Sequence, residues 1–359
     1  MTGSNWKGII GWVAAIVVIF SIVGYNAYQA KQEYATGKPN VLVMAHTTGA
    51  GAASDALKKA LDRFKEQNPD LSFNWISVDT QAMPSVAVTA LHQQLALHHI
   101  DLVIAFIDSV VDAILPITNE KDIFTLGMFT EVQNVAAKND MKNFQYFSTI
   151  TSDIFTPMGR FLREKAPKIA VLYTDDAYGV GGFKVLKDEY SNGKNQVVFS
   201  DSYSLQEYKL RELVQKALYH KPDGIAVIGY GPGYENIFRL LKQYNYDGLV
   251  VADTVTARAD TYNRLEGALE GVYLPFATIA DKEKFEKTNL NSYADGIVFD
   301  ALTYVDDAFR KGIPFTQNEF RKLKKYKNIT TVHFHEDGRS NQDMSMGIWK
   351  EGKIIPVGN

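Results

Sequence analysis

Apolar and polar residues alternate along this chain in two rhythms, short apolar runs of strand length and longer stretches with helical spacing. Val41–Ala45 (VLVMA) is the first apolar run, and it ends in the small polar turn Thr47-Thr48-Gly49-Ala50-Gly51. A helix is predicted from about Ser54 to Gln67, with Ser54 or Asp55 as its cap and Ala56, Leu57, Ala60, Leu61 and Phe64 on one face. A strand near Leu71–Val78, a helix near Val86–Leu97, a strand at Leu102–Phe106, a helix over Ser109–Ile114 and a strand at Ile123–Met128 complete this series. The rhythm restarts with strands at Lys168–Tyr173, Gln196–Ser200, Gly224–Gly229 and Gly248–Ala252. Helices are predicted between them at Gly182–Ser191, Tyr208–Tyr219 and Tyr234–Tyr244.

Near-continuous apolar strands that alternate with helices predict an α/β fold, with doubly wound parallel sheets covered by helices on both faces. Two such series of similar size predict two lobes with a cleft between them. Ligands of open α/β sheets sit beyond the carboxyl ends of the strands. The loops after Ala45, Phe106, Met128, Tyr173, Gly229 and Ala252 are therefore the ones expected to carry function.

One segment breaks both rhythms. Gly8–Tyr25 (GIIGWVAAIVVIFSIVGY) holds 18 residues without a charge. At a rise of ~1.5 Å per residue it spans roughly 27 Å as a helix, the thickness of a bilayer's hydrocarbon core. Bulky Tyr25 and Tyr28 flank Ala27 and Ala30, which makes a poor signal-peptidase site. Residues 8–28 thus read as an uncleaved transmembrane anchor behind a short tail (1–7), with a cleaved, secreted form as the alternative.

Composition narrows the function classes. The 359 residues are 46% hydrophobic and 22% charged, as in ordinary folded domains, and 38 basic against 41 acidic residues leave a net charge of −3. With no basic run, nothing favours nucleic acid as a partner. The absence of cysteine excludes disulfides, thiol nucleophiles and Cys-ligated metals. No Gly-x-Ser-x-Gly or His-Glu-x-x-His motif is present, and Gly229–Gly233 lacks the lysine of a phosphate loop, so no enzyme and no cofactor is expected. His333, His335 and Glu336 make only a weak chelate pattern, and Asp306-Asp307 reads as a solvated helix face.

Four stretches, in this order and spacing, resemble the type I periplasmic binding proteins of the leucine/isoleucine/valine family. They are Asp101–Thr118 (strand, serine loop, helix), Lys168–Phe183 (strand, acidic loop, Tyr-Gly pair), Tyr293–Phe309 (a helix around Phe299-Asp300-Ala301) and His333–Val357 (a closing hairpin). The resemblance implies two lobes joined by a three-segment hinge, with crossings near Phe147–Thr149, Tyr273–Pro275 and Thr330–Val332. After a linker at 29–38, lobe one would comprise 39–147 and 276–328, and lobe two 150–272 and 333–359.

It also implies a solute-binding protein of an ABC importer that holds an amino acid or related polar solute and hands it to permease subunits in the cytoplasmic membrane. A ligand-sensing receptor ectodomain of the same fold is the alternative reading. By the resemblance, Ser109, with the helix N-terminus behind it, and Thr130 would hold the ligand carboxylate. Tyr178 would lie over the ligand, Asp253 would meet its ammonium, Tyr230 would add an aromatic wall, and Thr47 and Thr48 would join from the first loop. Asp108 is a departure from the family, because an acid beside Ser109 repels a carboxylate placed there.

Overall fold

A computed structural model describes residues 37–49, 52–130, 143–148, 150–191, 194–204, 209–290, 293–336 and 338–357. The expected anchor at 8–28 lies outside the described residues, and among these no helix is long and apolar enough to cross a membrane.

The first series folds as β1 (Asn40–Ala45), α1 (Ala52–Gln67), β2 (Asn74–Asp79), α2 (Pro84–Leu97), β3 (Leu102–Phe106), α3 (Asp108–Glu120), β4 (Phe124–Met128) and β5 (Phe144–Tyr146). Its strands form one parallel sheet in the order β2-β1-β3-β4-β5. The second begins with α4 (Thr151–Lys165), which has no counterpart in the predicted elements. It continues through β6 (Lys168–Thr174), α5 (Ala177–Tyr190), β7 (Gln196–Tyr203), α6 (Leu210–Tyr219), β8 (Gly224–Ile228), α7 (Gly231–Gln243), β9 (Leu249–Ala252), α8 (Ala259–Arg264) and β10 (Tyr273–Ala277).

The chain then adds α9 (Lys282–Thr288), α10 (Tyr293–Lys311), α11 (Gln317–Leu323), β11 (Lys325–Lys327), β12 (Thr331–Phe334), β13 (Ser340–Gln342), β14 (Met344–Lys350) and β15 (Lys353–Pro356). The second sheet runs β15-β14-β10-β9-β8-β6-β7, and β11-β12-β13 form a small antiparallel sheet of their own.

Period-two alternation shows why these strands are apolar on both sides. Val41, Val43 and Ala45 of β1 enter the core beneath α1 and α10, while Leu42 and Met44 enter the core beneath α2 and α3. In the second sheet Ala170 and Leu172 face one core, and Ile169 and Val171 face the other. Each valine, leucine, isoleucine or methionine among them contributes roughly 1.5–3 kcal/mol on burial, so a strand without a polar face is stable only between two helical layers.

The chain changes sheet at other places than two of the three expected. β10 pairs along its whole length with β14, from Tyr273 opposite Ile348 to Ala277 opposite Met344, so the second crossing follows Ala277 rather than lying at Tyr273–Pro275. The third follows Gln342, not Thr330–Val332. Val332 and Phe334 of β12 enter the first lobe's core, where Phe334 lies 5.4 Å from Phe147 and 5.1 Å from Phe320 between ring centres. The segment 331–342, expected largely in lobe two, therefore packs with lobe one. Two further corrections concern helices. α3 runs through Pro116 to Glu120, and Asp306 is not on a solvated face, since it accepts from Ser72 N (2.6 Å) and Arg310 Nε (2.8 Å).

Buried polar bonds tie the crossings together. Asp300 on α10 accepts from Ile329 N (2.9 Å), Thr330 N (2.7 Å) and Thr330 Oγ1 (2.7 Å), and Gln342 Nε2 donates to Thr330 Oγ1 (3.0 Å). Ser148 N donates to Ser340 Oγ, which in turn donates to Ser148 O.

Helices α4 and α5 approach closely because two glycines face the contact. A Cβ on Gly182 would fall 2.5 Å from the Phe155 ring, and one on Gly159 would fall 2.9 Å from Leu186 O. Gly182→Val is expected to lower unfolding stability by about 1–3 kcal/mol through overpacking, read as a reduced urea midpoint. A midpoint equal to the parent's would show that the contact relaxes freely.

Candidate ligand-binding site

The carboxyl ends of both sets of parallel strands face one cleft of about 190 Å³. From the first lobe come His46 after β1, Ile107, Asp108 and Ser109 after β3, and Phe129 and Thr130 after β4. From the second come Asp176 and Tyr178 after β6, Tyr230 after β8, and Val255 and Arg258 after β9. Phe276 and Met344 close it at the crossings. The wall is mainly apolar and aromatic, with its charges at a few points.

Four of the expected residues meet here: Ser109, Thr130, Tyr178 and Tyr230 all line the cleft. Ser109 sits in the first turn of α3, behind Ile107, whose φ of 67° is a left-handed conformation rare for a β-branched residue. Thr130 Oγ1 donates to Asp108 Oδ1 (3.0 Å), so its proton is turned to a neighbouring acid. Tyr230 Oη donates to Asp176 Oδ2 (2.5 Å). Asp176 also caps α5, accepting at Oδ1 from Gly179 N (2.8 Å) and Thr174 Oγ1 (2.9 Å).

Three expected residues stand elsewhere. Asp253 is fully buried behind the wall and does not line the cleft. It accepts from Gly229 N (2.8 Å), Tyr234 Oη (2.8 Å), Val255 N (3.0 Å) and Tyr178 Oη (3.3 Å). Burial pushes its pKa up to about 7 against the pull of those four donors. With its oxygens so engaged it acts as a buttress for the loops rather than as the partner of a ligand ammonium. Thr47 and Thr48 turn away to Asp79, with Thr47 N at 3.0 Å, Thr48 N at 3.2 Å and Thr48 Oγ1 at 2.5 Å. Burial raises the Asp79 pKa, but these donors and Gln81 N outweigh it and hold the carboxyl below its usual range.

The residue types chosen from sequence missed His46 and Arg258. His46 stands one place past the first apolar run, in a loop expected to matter, but the hydroxyls beside it drew the assignment. Arg258 follows β9 by six positions in an irregular segment, and no local pattern marks it. His46 is buried, and burial first, then the Arg258 charge, lowers its pKa to about 4 despite Asp79. Arg258 Nη1 lies 3.0 Å from Asp295 Oδ1 across the lobes. His333 Nε2 is 3.1 Å from Asp343 Oδ1, and among the described residues no cluster of three potential metal ligands occurs.

A family model described as periplasmic binding protein matches residues 35–293, well over half of the chain. The chain belongs to the periplasmic binding protein family. Its fold matches the leucine binding protein LivK of Thermotoga maritima at a TM-score of 0.76 and 17% identity, covering 89% of this chain and 98% of that one. It matches a solute binding protein of an ABC transporter from Rhodopseudomonas palustris, solved with 3,4-dihydroxybenzoic acid, at 0.77 and 15%, covering 89% and 96%. The branched-chain amino acid transporter substrate binding protein LivJ of Streptococcus pneumoniae, solved with isoleucine, gives 0.75 and 13%, covering 89% and 100%. No curated protein matches this binding protein by sequence.

Two outcomes follow from the buried charges. A histidine with a pKa near 4 when folded and 6.5 when unfolded stabilises the fold fully above about pH 6.5, and that stability is lost as pH falls towards 4. The stability difference between parent and His46→Leu is therefore expected to shrink by about 3 kcal/mol from pH 7 to pH 4 in urea titrations, and a constant difference would disprove it. Asp253→Ala strands four donors, two of them backbone N–H groups, and is expected to cost about 3–5 kcal/mol. A melting temperature within a degree or so of the parent's would refute that role.

Proposed function

We propose that this binding protein is the extracytoplasmic solute receptor of an ABC importer, and that it closes two lobes on a small organic solute and presents it to a permease. The observation that carries this reading is the cleft itself, walled by loops from both sheets and combining aromatic side chains with buried polar groups from each lobe. Such a site is complete only when the lobes are together, so a solute bound there shifts the balance towards closure by its preference for that state. Ser109, Thr130, Tyr178 and Tyr230 contact the solute, and Phe129 and Phe276 cover its apolar part. Solved relatives holding isoleucine and 3,4-dihydroxybenzoic acid support a small acid with an apolar body, amino acids included. The apolar run Gly8–Tyr25 tethers the lobes to the outer face of the cytoplasmic membrane.

A thermal-shift screen of the full chain against amino acids, small organic acids, their amides and small amines tests the reading. A ligand at one hundred times its Kd is expected to stabilise by about 2.7 kcal/mol. Stabilisation by no member of any class would sink it.

A further inference from the structure

The fold leaves two buried polar atoms on the cleft wall without a hydrogen-bond partner, His46 Nδ1 from lobe one and Arg258 Nη1 from lobe two. The two residues are 6% and 9% exposed. Both line the same cleft from opposite lobes, and burial, then the Arg258 charge, lowers the His46 pKa, while burial, then Asp176 and Asp108, raises that of Tyr230. Arg258 Nη1 lies 3.0 Å from Asp295 Oδ1, yet no N–H on that nitrogen is aligned with the carboxylate. The contact therefore offsets charge without satisfying the donor. A buried guanidinium with an idle N–H and an imidazole with an idle nitrogen in one cleft are an expensive arrangement unless an acceptor arrives from outside the chain.

Resting on the solute-receptor reading above, we propose that Arg258 and His46 form the anion subsite of the cleft and grip the solute's carboxylate between the lobes. Arginine suits this role because its planar fork can engage both carboxylate oxygens, and the Asp295 contact leaves it held in place. The Ser109 loop is the weaker anion site, because Asp108 adjoins it and Asp176 lines the same cleft. The solute class that fits is a carboxylic acid with an apolar body whose other end offers a hydroxyl or ammonium donor to Asp108 and Asp176. Because one carboxylate then bridges both lobes, it is the acid group that rewards closure.

Acid and amide pairs separate this proposal from its foundation. The full chain is titrated calorimetrically with 4-hydroxybenzoate and isoleucine, and with 4-hydroxybenzamide and isoleucinamide. At least one acid is expected to bind at least about 30-fold more tightly than its amide, and Arg258→Gln to weaken that acid by about 30- to 100-fold. Asp295→Asn, which frees Arg258 from a competing carboxylate, is expected to tighten the acid by about 3- to 10-fold. An amide that binds as well as its acid, an acid affinity unchanged in Arg258→Gln, or no acid binding at about 10 mM overturns the subsite. If Arg258→Gln does not fold, Asp295→Asn decides alone, and an unchanged or weaker acid affinity there is fatal to the proposal. Amides or amines that bind the cleft where no acid does would leave the receptor reading standing and remove only this subsite.

Discussion

The second wall of the cleft depends on one buried carboxylate. Asp253 takes donors from the loop after β8 (Gly229 N), from the turn after β9 (Val255 N), from α7 (Tyr234) and from α5 (Tyr178). Two loops and the first turns of two helices are thereby fixed to one atom group. Gly229 is held at φ 147°, where a Cβ would fall 2.6 Å from both Thr174 Cγ2 and Tyr203 Oη, so the loop fits this close to the sheet only as glycine. Burial penalises the charge while the four donors favour it, a balance that leaves the group titrating far above an ordinary aspartate.

The first wall is built differently. Ile107 carries a strained backbone between β3 and α3, and the strain sits where Asp108 and Ser109 turn into the cleft. Asp79 ties down the first loop by accepting from Thr47 N, Thr48 N, the Thr48 hydroxyl and Gln81 N, and His46 is that loop's contribution to the cleft. One wall is thus held by a central acceptor and the other by local turns, and each keeps a buried polar atom without a partner, His46 Nδ1 and Arg258 Nη1.

The crossings bind these walls into one unit. Ser148 with Ser340 connects segments 192 positions apart in the chain, and Thr330 with Gln342 closes the short stretch that leads to the third crossing. Asp300, recognised in sequence only as the centre of a helix motif, holds the Ile329–Thr330 turn to α10, just ahead of β12.

Strand and helix types were legible from the sequence because a parallel strand buried on both faces has to be apolar throughout, and runs such as VLVMA and LVIAF leave little choice. The loops that matter followed from the same logic, since strand direction fixes which ends meet the cleft, and within them the family resemblance singled out Ser109, Thr130, Tyr178 and Tyr230, which line it. Local pattern could not tell an aspartate facing the cleft from one turned inwards, and that distinction separated Asp176 from Asp253. Nor could it bring His46 and Arg258, more than two hundred positions apart, to one cleft, or place Val332 and Phe334 in the first core rather than the second. Those choices rest on which faces pack against one another. Only the tertiary structure decides them, because desolvation and pairing of a buried polar group depend on neighbours that are distant in sequence.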